Sequence, residues 1–326
     1  MGKKVLLTEP YVEITDTEPL SKLKEVAEVC VASSSSEKEL AKEIRNANGL
    51  IVRMAKINRT IIESSKVLQI ISRTGVGVDN IDLDAATEKG VYVCNVPALN
   101  AESVAEHAFG LLLSLAKNLL EADKRLRAEG WRIRDKLWPR NIELSKKVLG
   151  IVGLGAIGSR VAIRAHAFEM KVLAYDPYIS VEKAEKTGVK LVDLNTLLKE
   201  SDFVTIHCLL SEETRNLINQ KNIQLMKKAA FLINCARGPI VNENTLIDAL
   251  KKRRIAGAAL DVFDKEPINI DNTLLNMRNV IVTPHVAGMT YEARVRTIET
   301  LVDDILRTFK GQIPKNLVNK SVLNSD

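Results

Sequence analysis

The feature that most constrains this chain is a glycine pattern between an apolar run and an amphipathic helical pattern. The run Val148–Val152 is typical of a strand buried on both faces, and it leads directly into Gly153-Leu154-Gly155-Ala156-Ile157-Gly158. In that context Gly153 permits a tight turn, Gly155 lets a ligand approach the backbone, and Gly158 lets the helix pack against the strand. The helix N-terminus offers free N–H groups to an anion, so the pattern predicts a dinucleotide-binding turn.

Asp176 supplies a second signal for the same ligand. The predicted strand Lys171–Tyr175 is followed by Asp176, which lies 23 residues after Gly153. A carboxylate at this place accepts hydrogen bonds from the adenosine ribose hydroxyls and repels a 2′-phosphate. No arginine occurs at positions 177–179 to bind such a phosphate. The sequence therefore predicts that the dinucleotide is NAD rather than NADP.

Apolar runs and helical patterns alternate along the chain in two series. The first series has predicted strands at Lys4–Leu7, Cys30–Ala32, Gly49–Arg53, Leu68–Arg73 and Val91–Asn95. The second has them at Val148–Val152, Lys171–Tyr175, Phe203–His207, Phe231–Asn234, Gly257–Leu260 and Val280–Thr283. Helices are predicted at Leu20–Val29, Glu37–Ala47, Arg59–Ser65, Ala101–Ala128 and Tyr291–Lys310. This alternation predicts an α/β protein with doubly wound parallel sheets.

Composition and charge limit the classes of partner. The 326 residues are enough for two domains with cores of their own, and the net charge of +6 is small and scattered. The basic cluster Lys251–Arg254 lies in a helical pattern, which favours a solvated face over a nucleic-acid patch. The longest apolar stretch, Phe109–Ala116, is too short to span a bilayer. We expect neither a nucleic-acid nor a membrane partner.

The cysteines predict neither disulfides nor a metal site. Cys30, Cys94, Cys208 and Cys235 form no Cys-x-x-Cys pair and match no metal-ligand spacing, so we expect no metal. Each lies in an apolar run, which favours buried thiols in a reducing compartment. The first residues show no signal-peptide pattern, so we expect a cytoplasmic protein.

The four histidines differ in how well they are placed for chemistry. His107 and His166 lie inside helical patterns, where structural or exposed roles are expected. His207 ends a predicted strand, and it either lines the ligand cleft or packs in the interior. His285 follows the predicted strand Val280–Thr283, at the edge where open α/β sheets bind ligands. Because histidine titrates near neutral pH, His285 is the candidate for proton exchange.

Two further residues would complete a site for hydride transfer to a keto acid. Such a reaction needs a proton donor at the substrate oxygen, a cation for the carboxylate, and an acid that orients the imidazole. Arg237 follows the predicted strand Phe231–Asn234, and its planar guanidinium matches a carboxylate. Glu266 follows the predicted strand Gly257–Leu260 and is a candidate for the orienting acid. Spacing alone leaves a surface role open for each of these residues.

Several motifs, taken together, resemble those of the D-isomer-specific 2-hydroxyacid dehydrogenases. They occur in the family order over nearly the whole chain: Arg73–Asn80, Ser103–His107, Asn234–Gly238, Ala259–Phe263 with Glu266-Pro267, and Thr283–His285. The likeness is closest to short D-3-phosphoglycerate dehydrogenases, so we expect no C-terminal regulatory domain. The resemblance implies a Rossmann NAD-binding domain, residues 100–291, inserted into a flavodoxin-like substrate-binding domain, residues 1–99 and 292–326. It also implies a homodimer with the long helix from Ala101 in its interface.

The resemblance implies a role for each matching residue. Arg237 would bind the substrate carboxylate, Glu266 would hydrogen-bond His285, and His285 would exchange a proton with the substrate oxygen. The backbone N–H groups of Val76 and Gly77 would hold the carboxylate as a small nest. The cofactor residues implied are Gly153, Gly155, Ala156, Ile157, Gly158, Asp176, His207, Cys208, Cys235, Ala236, Arg237, Asp261, His285 and Gly288. Many relatives carry Arg at the place of Ala156, and Thr at that of Val76, so one pyrophosphate contact and one hydroxyl are lost.

The substrate is expected to be anionic beyond its carboxylate. Arg53 and Arg73 both end predicted strands, and basic residues there would help to hold a phosphate in phosphoglycerate dehydrogenases. The expected reaction is therefore the interconversion of 3-phosphoglycerate and 3-phosphohydroxypyruvate, a step of serine biosynthesis. Reduction of glyoxylate, hydroxypyruvate or another 2-keto acid stays an alternative. A corepressor-like protein that senses NAD, or a purely structural NAD-sensing dimer, is the alternative from a different class.

Overall fold

The computed structural model describes residues 2–9, 18–137 and 140–324, and the chain divides into two compact units. Unit 1 comprises Met1–Asn100 and Thr290–Asp326, and unit 2 comprises Ala101–Met289. Each unit contains one parallel β-sheet whose strands are connected by helices. The predicted fold class, two doubly wound α/β domains, is confirmed.

Unit 1 is built on a five-stranded sheet in the order β2-β1-β3-β4-β5, in which every pairing is parallel. This is the 2-1-3-4-5 order of flavodoxin-like folds. The strands are β1 Lys3–Leu7, β2 Ala27–Val31, β3 Gly49–Val52, β4 Ile70–Arg73 and β5 Tyr92–Cys94. Its helices are α1 Glu18–Lys24, α2 Glu37–Glu43, α3 Arg59–Ser64, α4 Leu83–Glu88 and α12 Tyr291–Phe309.

Helix α12 completes the core of unit 1 although it is distant in sequence. Its buried residues Ile298, Leu301 and Ile305 pack in one apolar cluster with Leu20 of α1 and Ile70 of β4. A buried helix residue of this size contributes about 1.5–3 kcal/mol when it leaves water, so the helix matters for the stability of the unit. The apolar stripe at helical spacing predicts this buried face.

Unit 2 is built on a seven-stranded parallel sheet in the order β12-β11-β10-β9-β6-β7-β8. Its strands are β6 Val148–Val152, β7 Lys171–Tyr175, β8 Lys190–Leu191, β9 Phe203–Ile206, β10 Phe231–Asn234, β11 Gly257–Leu260 and β12 Val280–Val282. Its helices are α5 Ala101–Lys117, α6 Leu119–Glu129, α7 Arg134–Leu137, α8 Ala156–Ala167, α9 Val181–Glu185, α10 Leu194–Glu200 and α11 Glu243–Lys251. The strand order reverses direction at β6 and β9, the point where such sheets bind ligands.

The continuous apolar strands of unit 2 follow from burial on both faces. In β6, Ile151 belongs to the apolar cluster on one face of the sheet, and Val152 belongs to the cluster on the other face. Successive side chains of a strand point in opposite directions, so a sheet covered by helices on both sides requires apolar residues at every position. The sequence pattern that predicted a buried parallel strand is therefore explained.

The long helix predicted from Ala101 to Ala128 is wrong in one respect. It is two helices, because Asn118 between them adopts a left-handed conformation with φ +51°. The Asn118 side-chain amide donates hydrogen bonds to the Arg140 carbonyl and to Asn141 Oδ1, which stabilise the break. Gly130, with φ +71°, ends the second helix as predicted.

Two further differences concern short elements and the thiols. The helix predicted over Leu20–Val29 ends at Lys24, and residues 27–29 belong to the edge strand β2. Helix α4 and the two-residue strand β8 were not predicted. All four cysteines are free thiols, but Cys30 and Cys208 are partly exposed, in contrast to the expectation that all would be buried.

A membrane-spanning helix would need both length and a strongly apolar sequence, and no helix among the described residues has both. Within the same residues, no group of three or more His, Cys, Asp and Glu side chains is arranged to hold a metal ion.

Candidate active site

The predicted cofactor and catalytic residues of unit 2 all follow the carboxyl ends of its parallel strands. They lie in the segments that follow six strands, in a loop or at the start of a helix: Gly153–Gly158 after β6, Asp176 after β7, His207 and Cys208 after β9, Cys235–Arg237 after β10, Asp261 and Glu266 after β11, and His285 and Gly288 after β12. Because parallel strands end at the same edge of the sheet, these segments form one side of the unit. This is the edge at which open α/β sheets bind ligands.

The three glycines of the turn are required for different reasons. Gly153 has φ +92°, and a Cβ there would lie 2.6 Å from the backbone nitrogen of Cys208. A Cβ at Gly158 would collide with the Gly153 carbonyl oxygen. At Gly155, however, a Cβ would meet no atom of the chain within 4 Å. Internal packing therefore explains Gly153 and Gly158 but not Gly155, which leaves open space at the N-terminus of α8, as the predicted approach of a pyrophosphate would require.

Asp176, which follows the neighbouring strand β7, is hydrogen-bonded to the glycine turn. Its Oδ2 accepts a hydrogen bond from the Leu154 N–H at 2.8 Å, and its Oδ1 accepts one from the Tyr178 N–H at 2.9 Å. The exposed Tyr178 hydroxyl donates to Glu213 Oε2 at 2.6 Å, and this hydrogen bond raises the pKa of Tyr178. A second carboxylate, Glu213, is thereby linked to the loop that carries Asp176. Two carboxylates therefore lie in this part of the unit, where the sequence predicts that a charge repels a 2′-phosphate.

His207, which follows β9 at this edge, has one ring nitrogen that is buried and unpaired among the described residues. Its Nε2 lies 2.8 Å from Thr205 Oγ1, whereas its Nδ1 is buried and has no hydrogen-bond partner among the described residues. Burial lowers the pKa of His207 to about 3, so the ring is neutral near pH 7. A buried polar atom without a partner is costly, so the unpaired Nδ1 favours the interpretation that His207 lines a ligand cleft.

Arg237 is placed by a tight contact between two loops. The Asn234 side chain accepts a hydrogen bond from the Ala236 N–H and donates one to the Arg237 carbonyl, each at 3.0 Å. A Cβ at the next residue, Gly238, would collide with the carbonyl of Phe263, so only glycine fits there. The close approach brings the loop of Arg237 against the loop that carries Glu266. The charge of Arg237 contributes to the lowered pKa of Glu266, and its guanidinium donates a hydrogen bond to the Ala236 carbonyl at 2.8 Å.

Glu266 and His285 form a short hydrogen-bonded pair. His285 Nδ1 lies 2.6 Å from Glu266 Oε2, and Glu266 Oε1 accepts a hydrogen bond from the Phe263 N–H at 3.0 Å. Burial raises the pKa of Glu266, but the hydrogen bonds from His285 and Phe263, together with the charges of His285 and Arg237, outweigh burial and lower it overall. An ionised Glu266 accepts the Nδ1–H of His285, which leaves Nε2 as the nitrogen that can exchange a proton.

The backbone of His285 is held in an uncommon conformation by Asp261. His285 has φ +54°, and a residue other than glycine costs about 1–3 kcal/mol in such a region. Its N–H donates to the Asp261 carbonyl at 2.9 Å. The Asp261 carboxylate accepts the N–H groups of Val286 at 2.9 Å and Ala287 at 2.8 Å. These bonds keep the His285 loop in place, a function that the sequence did not assign to Asp261.

Unit 1 carries the predicted phosphate and carboxylate residues at the carboxyl edge of its own sheet. Arg73 ends β4, and its Cα pairs with that of Val52, which immediately precedes Arg53. The Arg73 guanidinium folds back over Gly75. Nearby, the Asn95 amide donates to the Val76 carbonyl at 2.7 Å, which fixes the loop of Val76 and Gly77.

Glu9 is a residue of this edge that the sequence did not single out. Its carboxylate accepts hydrogen bonds from three consecutive N–H groups, those of Arg53, Met54 and Ala55, at 3.3, 3.0 and 2.7 Å. Glu9 thus holds the segment that contains Arg53. Its position at the end of β1 beside the end of β3 was the only sequence signal for this contact.

A comparison with family sequence models identifies the class of this chain. The model described as D-isomer specific 2-hydroxyacid dehydrogenase, NAD binding domain, matches residues 109–287, which are more than half of the chain. The chain belongs to the D-isomer specific 2-hydroxyacid dehydrogenase family. Residues 109–287 are the NAD-binding domain of that family in this chain. The resemblance inferred from the motifs, and NAD as the cofactor, are thereby confirmed.

Relatives within the family differ in the substrate that their names give. A D-3-phosphoglycerate dehydrogenase of Methanocaldococcus jannaschii is 44% identical over 318 residues, which are 97% of this chain and 59% of that protein. A glyoxylate reductase of Thermococcus litoralis is 40% identical over 291 residues, 88% of each chain. The crystal structure of D-lactate dehydrogenase from Aquifex aeolicus, complexed with NAD and lactic acid, has 32% identity and a TM-score of 0.86 over 97% of this chain and 99% of its own. This chain therefore spans about three fifths of the phosphoglycerate dehydrogenase.

One contact next to the site was not predicted from the sequence. His107, for which a structural or exposed role was expected, is partly buried, and its Nε2 lies 3.1 Å from Thr283 Oγ1. His166 is exposed, as expected, with its Nε2 2.9 Å from the Thr187 carbonyl oxygen. His107 lies in α5, which is 176 residues from Thr283, so no local spacing could have indicated the contact.

Proposed function

We propose that this chain is an NAD-dependent oxidoreductase that interconverts a D-2-hydroxy acid and its 2-keto acid, with 3-phosphoglycerate and 3-phosphohydroxypyruvate as the physiological pair. The observation that carries the reaction type is the 2.6 Å pair of His285 and Glu266, which lies on the same sheet edge as the glycine turn and within reach of the charge of Arg237. In this proposal unit 2 binds the cofactor, and unit 1 supplies contacts to the substrate.

Each residue of the site has a defined task in this reaction. Arg237 binds the substrate carboxylate, and its five N–H donors match the two carboxylate oxygens. His285 Nε2 donates a proton to the keto oxygen during reduction, and it accepts a proton from the hydroxyl during oxidation. Glu266 holds the ring through Nδ1 and stabilises the imidazolium. Bound NADH supplies the hydride, and Asp176, Gly155 and the N-terminus of α8 are the groups that would hold its ribose and pyrophosphate.

A phosphorylated substrate is favoured by cationic residues beyond Arg237. The substrate carboxylate occupies Arg237, so a phosphate needs cationic partners of its own. Arg53 and Arg73 lie at the ends of neighbouring strands in unit 1, where β3 and β4 are paired. The N–H groups of Val76 and Gly77 are proposed as further contacts to the substrate carboxylate. The relative of 44% identity, named D-3-phosphoglycerate dehydrogenase, supports the same choice.

A substrate panel tests the proposal directly. The full chain with NADH should reduce 3-phosphohydroxypyruvate with a higher kcat/KM than glyoxylate, hydroxypyruvate or pyruvate. Arg53→Ala and Arg73→Ala should raise KM for the phosphorylated acid at least tenfold and leave KM for glyoxylate within twofold. A preference for glyoxylate over the phosphorylated acid would contradict the substrate assignment. NADH binding without reduction of any acid would contradict the enzymatic proposal and favour a corepressor-like or structural NAD-sensing protein.

We propose that the homodimer forms through helix α6, the second of the two helices that were predicted as one. Helix α6 has no buried residue in the single chain. Large apolar side chains on and beside it are exposed, by 51% at Leu119, 57% at Leu120 and 75% at Trp131. Exposed apolar surface of this kind is typical of an interface. Light scattering should give twice the chain mass, and Leu120→Glu should shift the protein towards the monomer.

The cytoplasmic location stays a prediction that the free thiols support.

A further inference from the structure

The carboxylate that holds the His285 loop is itself held from helix α5. Thr283 Oγ1 donates to Asp261 Oδ1 at 2.5 Å and lies 3.1 Å from His107 Nε2. His107 Nε2 is also 3.7 Å from the same Asp261 oxygen. The Asp261 side chain is only 1% exposed, so its oxygens depend on donors from the protein rather than on water.

The number of hydrogens on each group determines which group donates in the relay, by which we mean the hydrogen bonds that join His107, Thr283 and Asp261. A threonine hydroxyl has one hydrogen, and here it donates that hydrogen to Asp261 Oδ1. Thr283 Oγ1 can therefore only accept from His107. This requires that His107 carries a hydrogen on Nε2. His107 thus donates to Thr283, and Thr283 donates to Asp261. The Asp261 carboxyl group also accepts two backbone hydrogen bonds, from the N–H groups of Val286 and Ala287.

We propose that His107 is a positioning residue for His285, which it affects through Thr283 and Asp261. The inference rests on the proposed function, in which His285 exchanges the proton with the substrate. His107 keeps the Thr283 hydroxyl oriented towards Asp261, and the oriented carboxyl group of Asp261 accepts the two N–H groups that follow His285. Those bonds keep His285 at φ +54°, the conformation in which its Nδ1 meets Glu266. Removal of the donor at His107 frees the Thr283 hydroxyl to rotate, and the loop loses its fixed anchor.

Paired substitutions separate this role from simple packing. His107→Gln keeps an N–H donor at a similar distance, whereas His107→Leu removes it. In the same way, Thr283→Ser keeps the hydroxyl group, whereas Thr283→Val removes it. We expect kcat to fall at least tenfold in His107→Leu and in Thr283→Val, and to stay within threefold in the two donor-retaining variants. KM for NADH should change less than threefold throughout. Because both losses break one relay, the double variant His107→Leu/Thr283→Val should be no slower than the slower single variant.

A measurement that needs no substrate tests the positioning itself. Backbone hydrogen exchange at residues 285–287 of the full chain should be at least tenfold faster in His107→Leu and Thr283→Val, and unchanged in His107→Gln. His166→Leu, which removes an exposed histidine of the same unit, should leave both exchange and kcat unchanged and serves as the control. Unchanged exchange in His107→Leu, or fully multiplicative losses in the double variant, would overturn the inference. Absence of turnover in the unaltered protein would instead reject the proposed function, so the two failures are distinguishable.

Discussion

His285 Nδ1 lies 2.6 Å from Glu266 Oε2, and this one contact determines which nitrogen of the ring remains for chemistry. Glu266 is a carboxylate with a lowered pKa, so it accepts the Nδ1 hydrogen and does not compete as a proton donor. Only Nε2 can then meet a substrate oxygen. The pair thus resembles other sites in which a carboxylate orients a histidine that acts as acid and base.

His285→Gln should abolish most turnover and leave cofactor binding intact. An amide cannot exchange a proton near neutral pH, and general acid–base catalysis contributes about 10²–10⁴-fold to a rate. We expect kcat to fall within that range, whereas Kd for NADH, measured by fluorescence titration, should change less than threefold. His166→Gln, an exposed histidine, is the matched control. Activity near that of the unaltered chain in His285→Gln would remove His285 from the mechanism.

Glu266→Gln should change the dependence of stability on pH in a defined direction. The pKa of Glu266 is lowered in the folded chain, so its ionisation stabilises the fold above the ordinary pKa of glutamate, about 4.3. This contribution is lost as the pH falls through the lower, folded pKa. The melting temperature of the variant should therefore lie below that of the parent at pH 7 and approach it below pH 4. The exposed Glu212→Gln should show no such convergence, and a gap that persists at low pH would contradict the role of the charge.

Asp176→Asn should relax the preference for NADH over NADPH. The amide oxygen can still accept the Leu154 N–H and so hold the glycine turn, at the cost of the bond from the Tyr178 N–H, while the charge that repels a 2′-phosphate is removed. Repulsion between two charges near a protein surface is about 4 kcal/mol at 4 Å, and only part of it acts here. The ratio of kcat/KM for NADPH to that for NADH should rise at least tenfold. Glu213→Gln should shift the ratio in the same direction by a smaller factor; an unchanged ratio in Asp176→Asn would contradict this account.

Alanine at Gly153 and at Gly155 should have opposite effects. Gly153→Ala faces both a positive φ and a backbone contact, so it should lower the melting temperature and reduce the yield of folded protein. Gly155→Ala meets no atom of the chain, and since Gly155 is the N-cap of α8 its cost to stability should be about 1 kcal/mol or less. Its Cβ would instead lie where the pyrophosphate approaches, so NADH affinity should fall at least tenfold. Calorimetry and NADH titration of both variants give the comparison, and normal NADH affinity in Gly155→Ala would refute the assigned approach.

The sequence allowed most strands to be predicted nearly residue by residue. Strands β6, β10 and β11 have the predicted bounds, because burial on both faces gives a parallel strand a continuous apolar pattern. The break at Asn118 could not be predicted, since neither glycine nor proline interrupts the apolar periodicity there. Strand β8 has only two residues, which is too short for any pattern.

The residues of the site could be predicted from the sequence where the order of the strands brings them to one edge of the sheet. Arg237, Glu266 and His285 follow three neighbouring parallel strands, so their meeting at one edge could be expected from strand order alone. The contact of His107 with Thr283 could not, because it depends on how α5 packs against the sheet. Likewise, the role of Asp261 as a clamp for the His285 loop depends on backbone hydrogen bonds that side-chain types do not reveal.

The return of α12 to the first sheet has a consequence for biosynthesis. The strands of unit 1 and the Leu20 face of α1 leave the ribosome early, but the helix that covers them follows about 190 residues later. At roughly 5–20 residues per second, this delay is about 10–40 s. Unit 2 is contiguous, so it can fold as soon as its own last strand has left the ribosome, whereas the nascent unit 1 carries an uncovered apolar face throughout the delay. We therefore expect ribosome-associated chaperones to engage the N-terminal hundred residues of the growing chain rather than its later part.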